Sequence, residues 1–182
     1  LLKFATMLEN SPHMGPGTIT LKDDPRILPV GRFLRKTKIN ELPQLLNILI
    51  GEMSVVGPRP QTQRCFDAFL PATRAAIVRV RPGLSGIGSV IFRSEEDMMH
   101  SSEDPAAFYD RVIAPYKGSL EEWYVEHQSL RTYLLLIVLT AWVVLVPRSQ
   151  LVWRVFPSLP TPPPELRLRL GLTQTPSLRD SH

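Results

Sequence analysis

A single cysteine, Cys65, in 182 residues excludes an internal disulfide framework, and a reducing compartment is the default for such a chain. Histidine is scarce too, and the four at positions 13, 100, 127 and 182 are too scattered to form a zinc-type ligand cluster. No apolar run reaches the roughly 20 residues that a bilayer crossing needs. The longest, Tyr133 to Val146, counts 14 residues between Arg131 and Arg148. As a helix it would span roughly 21 Å at about 1.5 Å per residue. It is expected either to bury in protein or to lie in a membrane interface, where Trp142 and Trp153, with Arg148 and Arg154 close by, would suit an anchor.

Excess charge is missing from most of the chain. The formal net charge is +4, but from Pro147 onward five arginines face only Glu165 and Asp180, a net of +3 that leaves residues 1–146 at +1. The isoelectric point near 9.5 therefore carries no case for nucleic-acid binding, and no aromatic-interleaved basic platform accompanies it. Seven of the 18 prolines also lie from Pro147 onward, including Pro162, Pro163 and Pro164. Such composition resists packing, so residues 157–182 are expected to be a flexible Pro/Arg-rich tail behind a domain of residues 1–156. With 43% hydrophobic residues that domain has material for one core.

What is present concentrates in the first ninety residues. Thr18 to Leu21 alternates briefly before Asp23-Asp24-Pro25, as a strand running into a turn. Between Arg26 and Lys38 stand five cations (Arg26, Arg32, Arg35, Lys36, Lys38) and no acid, a block that by itself is an ordinary solvated face. Apolar residues at 42, 45, 46 and 49 then share one helical face. Asn40 is placed as the N-cap of that helix, Glu41 suits its positive end, Pro43 its first turn, and Gly51 ends it. A carboxylate at a helix start directly after five cations also suits a phosphate ester and a metal.

Met53 to Pro60 is a short apolar strand running into Gly57-Pro58-Arg59-Pro60, where two prolines fix the backbone around one arginine. A fixed arginine loses less entropy when its planar fork grips a phosphate, and a structural salt bridge would use the same device. Further on, Arg79 and Arg81 precede Gly83, Gly86 and Gly88, glycines that let backbone approach closely. The spacing is not that of a Walker loop.

In this order the residues resemble the bacterial sugar transferase family, the monotopic polyprenyl-phosphate phosphoglycosyltransferases. The resemblance is carried by Lys3-Phe4-Ala5-Thr6-Met7, Asp24-Pro25-Arg26, Val30 to Thr37, Glu41-Leu42-Pro43-Gln44-Leu45-Leu46-Asn47, Gly51 to Pro60 and Arg81-Pro82-Gly83-Leu84-Ser85-Gly86. The region from Tyr116 to Thr140 is similar to the family's C-terminal helices, and coverage runs from about residue 3 to 146. The resemblance implies an enzyme that transfers a sugar 1-phosphate from a UDP-sugar to polyprenyl (undecaprenyl) phosphate and releases UMP. That is the first step of lipid-linked glycan and exopolysaccharide synthesis, at the cytoplasmic face of the bacterial inner membrane, with Mg²⁺ as cofactor. Family members use an Asp-Glu pair, the Asp attacking the β-phosphorus.

Two departures bear on that mechanism. Asn40 occupies the position of the nucleophilic Asp, leaving Glu41 as the intact member of the pair. A neutral amide is neither a nucleophile nor a good Mg²⁺ ligand. Either Glu41 takes over attack or metal binding, or transfer runs directly between bound substrates, or the chain is an inactive membrane-associated nucleotide-sugar-binding module. Relatives also carry a re-entrant membrane helix ahead of the K-F-R-[ST]-M motif, so the chain is expected to be truncated at its N-terminus.

The expected fold is α+β and mostly helical, with a short β-hairpin near residues 1–22, membrane-contacting amphipathic helices, and the helices of residues 105–146 completing the core. Catalytic candidates are Glu41 and Asn40, with Glu41 as metal ligand. Phosphate-binding candidates are Arg59 first, then Arg35, Arg81, Lys36 and Arg32. Asp24, Glu52 and Glu95 are candidate helpers for the metal.

Overall fold

The computed structural model describes residues 1–14, 20, 24–100, 102, 104–147 and 149–172, without the side chain of His100. Apart from Thr20, which is in no strand, the expected Thr18 to Leu21 strand, and with it the far arm of the expected hairpin, lies outside the described residues. Residues 1–14 are irregular apart from a turn at Glu9–Asn10 and a 3₁₀ turn at Ser11–His13, and a single antiparallel bridge joins Met7 to Ile27. The sheet seen among the described residues lies elsewhere and is parallel.

Helix α1 (Pro29–Thr37) starts on a proline that pre-sets its first turn and stops at Lys38, whose φ of 62° is left-handed. The helix expected from Asn40 is split in two. Ile39–Glu41 forms a 3₁₀ turn, and α2 (Gln44–Leu49) begins only after Pro43. Pro43 has no N–H to return to Ile39, so the chain closes 3₁₀ bonds here, from Leu42 N–H to the Ile39 carbonyl at 3.0 Å. Asn40 is thus no cap: its side chain makes no bond to the helix start. Gly51, at φ 83°, does end the segment.

Strand β1 (Ser54–Val56) is followed by α3 (Gln63–Asp67) and α4 (Pro71–Ile77), and then by β2 (Gly83–Ser85). The strands pair in parallel, Ser54 with Gly83 and Val56 with Ser85. Backbone at Gly83 and Gly86 lies so close to Gly57 that neither position has room for a Cβ, and the Arg59 turn is thereby seated on the sheet.

Helices α5 (Ile87–Ile91), α6 (Glu95–His100) and α7 (Pro105–Phe108) lead into a π-helical turn at Tyr109–Ile113 and the two long helices, α8 (Ala114–Glu126) and α9 (Leu130–Leu145). Pro115 lacks an N–H and crowds the Arg111 carbonyl, so the helical register widens just before it. Ile113, Leu120 and Leu136 are fully buried where α8 and α9 meet the core, as expected for residues 105–146.

Residues 157–172 correct the expectation of a free tail. After α10 (Leu151–Val155), Phe156 packs edge-on against Trp123 with ring centres 5.2 Å apart, and the Trp123 indole N–H donates to Ser158 Oγ at 3.1 Å. Tyr116 donates to the Pro160 carbonyl at 2.9 Å, and α11 (Pro164–Arg167) buries Leu166 completely. Proline-rich chain packs here because buried hydrogen bonds and aromatic faces receive it, which composition does not register. Residues 173–182 lie outside the described residues.

Candidate functional site

Three segments meet over one cavity of about 970 Å³. The N-terminal strand-like segment is tied down by Phe4 N–H to the Asn40 carbonyl (3.1 Å) and Leu2 N–H to Asn47 Oδ1 (2.9 Å), which brings Lys3 to the rim. Helix α1 and the turn after it contribute Arg35, Lys36, Lys38, Asn40 and Glu41. The proline-framed turn after β1 contributes Arg59.

Arg59 and Glu41 are the centre of this arrangement, Nη2 donating to Oε1 at 2.5 Å, while Nη1 reaches the Leu84 carbonyl at 3.5 Å. Burial pushes the Glu41 carboxyl up, but Arg59, Lys38 and Lys3 together outweigh it and hold its pKa below the ordinary value. Lys3 is shifted down, chiefly by burial and further by Arg59, Arg35 and Lys38, with Glu41 opposing. Three cations thus crowd one carboxylate, with Arg35 close to Lys3. Such a site favours an added anion, because any phosphate entering it relieves repulsion among the cations.

The other candidates divide. Arg35 lines the cavity but is already engaged, donating to Thr6 Oγ1 at 3.0 Å and lying 3.5 Å from Glu96. Lys36 lines it and is exposed. Arg32 is exposed on α1 away from the cavity lining, and Arg81 lines a separate depression of about 670 Å³ with Arg79 and Tyr133. Sequence adjacency had grouped Arg26 with these cations; in fact it is 3% exposed and bound to Asp24, Nε to Oδ1 at 2.8 Å and Nη2 to Oδ2 at 2.5 Å. This pair braces the loop through the Ser11 and Met14 carbonyls, both 2.7 Å from Nη1. Asp24 is thus occupied structurally, Glu52 accepts from Asn47 Nδ2 at 2.6 Å, and Glu95 accepts from Lys117 Nζ at 2.6 Å.

Asn40 is 3% exposed, and its Oδ1 is buried without a hydrogen-bond partner. The position keeps a polar atom at the cavity at a desolvation cost of about 1–3 kcal/mol. Trp142 is 42% exposed, its indole N–H donating to Ser149 Oγ at 2.7 Å, whereas Trp153 is half-buried against the core.

Three participants were missed. Lys3 stood in a quoted motif without a role. Glu96 faces Arg35, and burial raises its pKa with Glu95 and Asp97 adding to the effect against Arg35 and Lys38. Glu121, fully enclosed in α8, was signalled only by its i, i+4 spacing from Lys117 on a face it shares with Leu120 and Tyr124.

The apolar stripe of α2 faces outward. Leu42, Leu46, Leu49 and Ile50 are 53, 54, 81 and 67% exposed, while Gln44 and Asn47 are buried. Val30 and Phe33 of α1, 68 and 60% exposed, extend the same outward apolar character.

Taken together, the fold sets a cationic, carboxylate-centred cleft, suited to phosphate esters, beside an uncovered apolar surface. The chain belongs to the bacterial sugar transferase family, whose family model matches residues 1–147. It is 36% identical over 125 residues to the undecaprenyl-phosphate galactose phosphotransferase of Salmonella typhimurium, covering 69% of this chain and 23% of that protein. It is 41% identical over 108 residues to the exopolysaccharide production protein ExoY of Sinorhizobium fredii, covering 52% and 47% of the two chains. Over 111 residues it is 35% identical to the UDP-glucose:undecaprenyl-phosphate glucose-1-phosphate transferase of Escherichia coli, covering 58% and 23%. The chain therefore spans 23 to 47% of the length of these relatives. Among the described residues no helix is long and apolar enough to cross a membrane.

Proposed function

We propose that this chain forms the catalytic part of an enzyme that transfers a sugar 1-phosphate from a UDP-sugar to polyprenyl phosphate, releasing UMP. The observation that carries the reading is the convergence of Lys3, Lys38 and Arg59 on Glu41 in one cavity that Arg35 also lines. In phosphoryl transfer the protein's part is mainly to position two phosphates and neutralise charge, and this cleft is built for both. The names of the relatives supply the substrate classes.

Asn40 cannot form the phosphosugar-enzyme, and Glu41 Oε1 is committed to Arg59. We therefore assign Glu41 to holding charge rather than to attack. The polyprenyl phosphate oxygen attacks the β-phosphorus directly; one P–O bond forms as the bridging P–O bond breaks, and UMP leaves with the electron pair. Arg59 grips the diphosphate as a fork, Lys3 and Lys38 offset its charge, and the Asn40 side chain turns its unpaired Oδ1 to a donor on the substrate.

Mg²⁺ fits this site as a shared ion rather than a protein-caged one. Among the described residues no three His, Cys, Asp or Glu side chains gather to hold a metal, but Glu41 offers an ionised carboxylate beside the phosphate position. Magnesium is commonly held by one or two carboxylates plus substrate phosphates, and it would supply further charge neutralisation here. The outward apolar residues of α1 and α2 are assigned to the interface of the bacterial inner membrane on its cytoplasmic face, which places the cleft beside the lipid phosphate.

The unpartnered Asn40 Oδ1 also favours a second reading, a binding module that holds the nucleotide sugar without turnover. UMP release from UDP-sugars, with Mg²⁺ and with or without polyprenyl phosphate in nanodiscs, separates the two. Lipid-dependent release is expected, and Glu41→Gln is expected to weaken its Mg²⁺ dependence. Tight nucleotide-sugar binding with no release would favour the module.

A further inference from the structure

Glu121 is the most deeply buried charged side chain of the described residues, 1% exposed, and neither of its carboxyl oxygens has a hydrogen-bond partner. A helix that otherwise packs Leu120, Trp123 and Tyr124 would be more stable with an apolar residue there, since an enclosed unsatisfied carboxyl is costly. Its room comes from Gly88 of α5, where any Cβ would collide with Glu121 Oε1. The charged groups around it are few. Lys117 precedes it by one turn, is 5% exposed and donates to Glu95 on the cavity wall. From the turn after β1, the Arg59 main-chain N–H and its cationic side chain both favour the ionised form without completing a hydrogen bond to it. Tyr124 stands one turn further along α8, and α5 brings Gly88 against its carboxyl.

We propose that Glu121 is a positioning residue for Arg59: seated behind the Pro58-Arg59-Pro60 turn in space left by Gly88, its carboxylate fixes where the guanidinium meets the substrate diphosphate. It touches no substrate and acts through the arginine. When ionised it draws the turn inward and shares Lys117 with Glu95; when protonated it releases the turn, and Lys117 turns wholly to Glu95. Burial is the largest influence on Glu121 and pushes it up to about 7, with Lys117 and Arg59 opposing, so the two states exchange near neutral pH. The inference rests on Arg59 being a phosphate ligand.

The test is calorimetric binding of UDP-glucose, whose diphosphate diester does not change charge between pH 6 and 8, to the chain and to Glu121→Gln, Glu121→Asp and Arg59→Lys. Affinity of the unsubstituted chain is expected to tighten roughly five- to tenfold as pH rises through 7, the scale of one ordinary hydrogen bond. Glu121→Gln is expected to flatten that profile, and Glu121→Asp to keep an inflection. Arg59→Lys should weaken binding at every pH. A flat profile in the unsubstituted chain, or an unchanged inflection in Glu121→Gln, overturns the positioning role while leaving Arg59 intact. Unweakened binding by Arg59→Lys removes the phosphate-ligand reading itself, and the positioning role with it.

Discussion

Two prolines around one arginine and a carboxylate next to an asparagine are small features, yet the site's chemistry is concentrated in them. Arg59 meets Glu41 at 2.5 Å because the Pro58–Pro60 turn allows its backbone little else. Arg59→Lys keeps the charge but loses the planar fork, so nucleotide-sugar affinity should fall about tenfold or more, read by calorimetry at constant salt. The Glu41 pair also has a pH signature. Its folded pKa lies below the unfolded one, so its contribution to stability is complete above the ordinary carboxylate value and is lost as pH falls through the lowered one. Glu121 runs the opposite way. Its folded pKa is raised to about 7, the folded state holds the proton longer, and stability drains away as pH rises from the unfolded carboxyl value to the folded one. The melting temperature of Glu121→Gln should therefore match the parent near pH 5 and exceed it at pH 8, by the equivalent of on the order of 1–3 kcal/mol. A constant difference across that range would contradict the assignment.

Among the elements, α2 inverts the usual rule. Its period of apolar residues is that of a core helix, and its polar Gln44 and Asn47 point inward. Asn47 ties Leu2, Glu52 and Met53 together through its side chain and carbonyl, so the buried polar face is satisfied rather than stranded. The outward leucines then need another apolar phase, and Leu46→Glu with Leu49→Glu should release the protein from anionic vesicles in flotation while leaving its circular dichroism unchanged, since both are already exposed. Helix α9 shows the complementary case. Leu136, Leu139 and Val143 bury one stripe while Leu134, Val138 and Leu145 stay exposed, so the core expectation describes one side of it. Leu136→Ala, inside the buried stripe, should cost about 2–5 kcal/mol in chemical denaturation.

At the scale of the whole molecule, residues 149–172, past the end of the family match at 147, are part of the packed body. Arg169 bonds the Met98 carbonyl and stands 4.3 Å over the Phe108 ring, and Phe156, Leu159 and Leu166 are buried. Removing residues 147–182 should therefore lower the unfolding free energy by several kcal/mol and uncover Trp123, with red-shifted fluorescence as the readout. Much of the site was legible beforehand, because Glu41, Arg35, Lys36 and Arg59 sit in short motifs whose turn chemistry places them locally. Arg26, Arg32 and Arg81 read alike in sequence, but one is buried against Asp24, one lies on the outer side of α1 and one opens onto another depression. The α+β, mostly helical class, the 105–146 core helices and the proline-fixed arginine follow from periodicity, backbone restriction and motif order, which are properties of neighbouring residues. Which side of α2 turns inward, where the proline-rich end packs and which carboxyl is sealed behind Arg59 depend on contacts between residues far apart in the chain, such as Tyr116 with Pro160 and Gly88 with Glu121, and only the tertiary structure decides those.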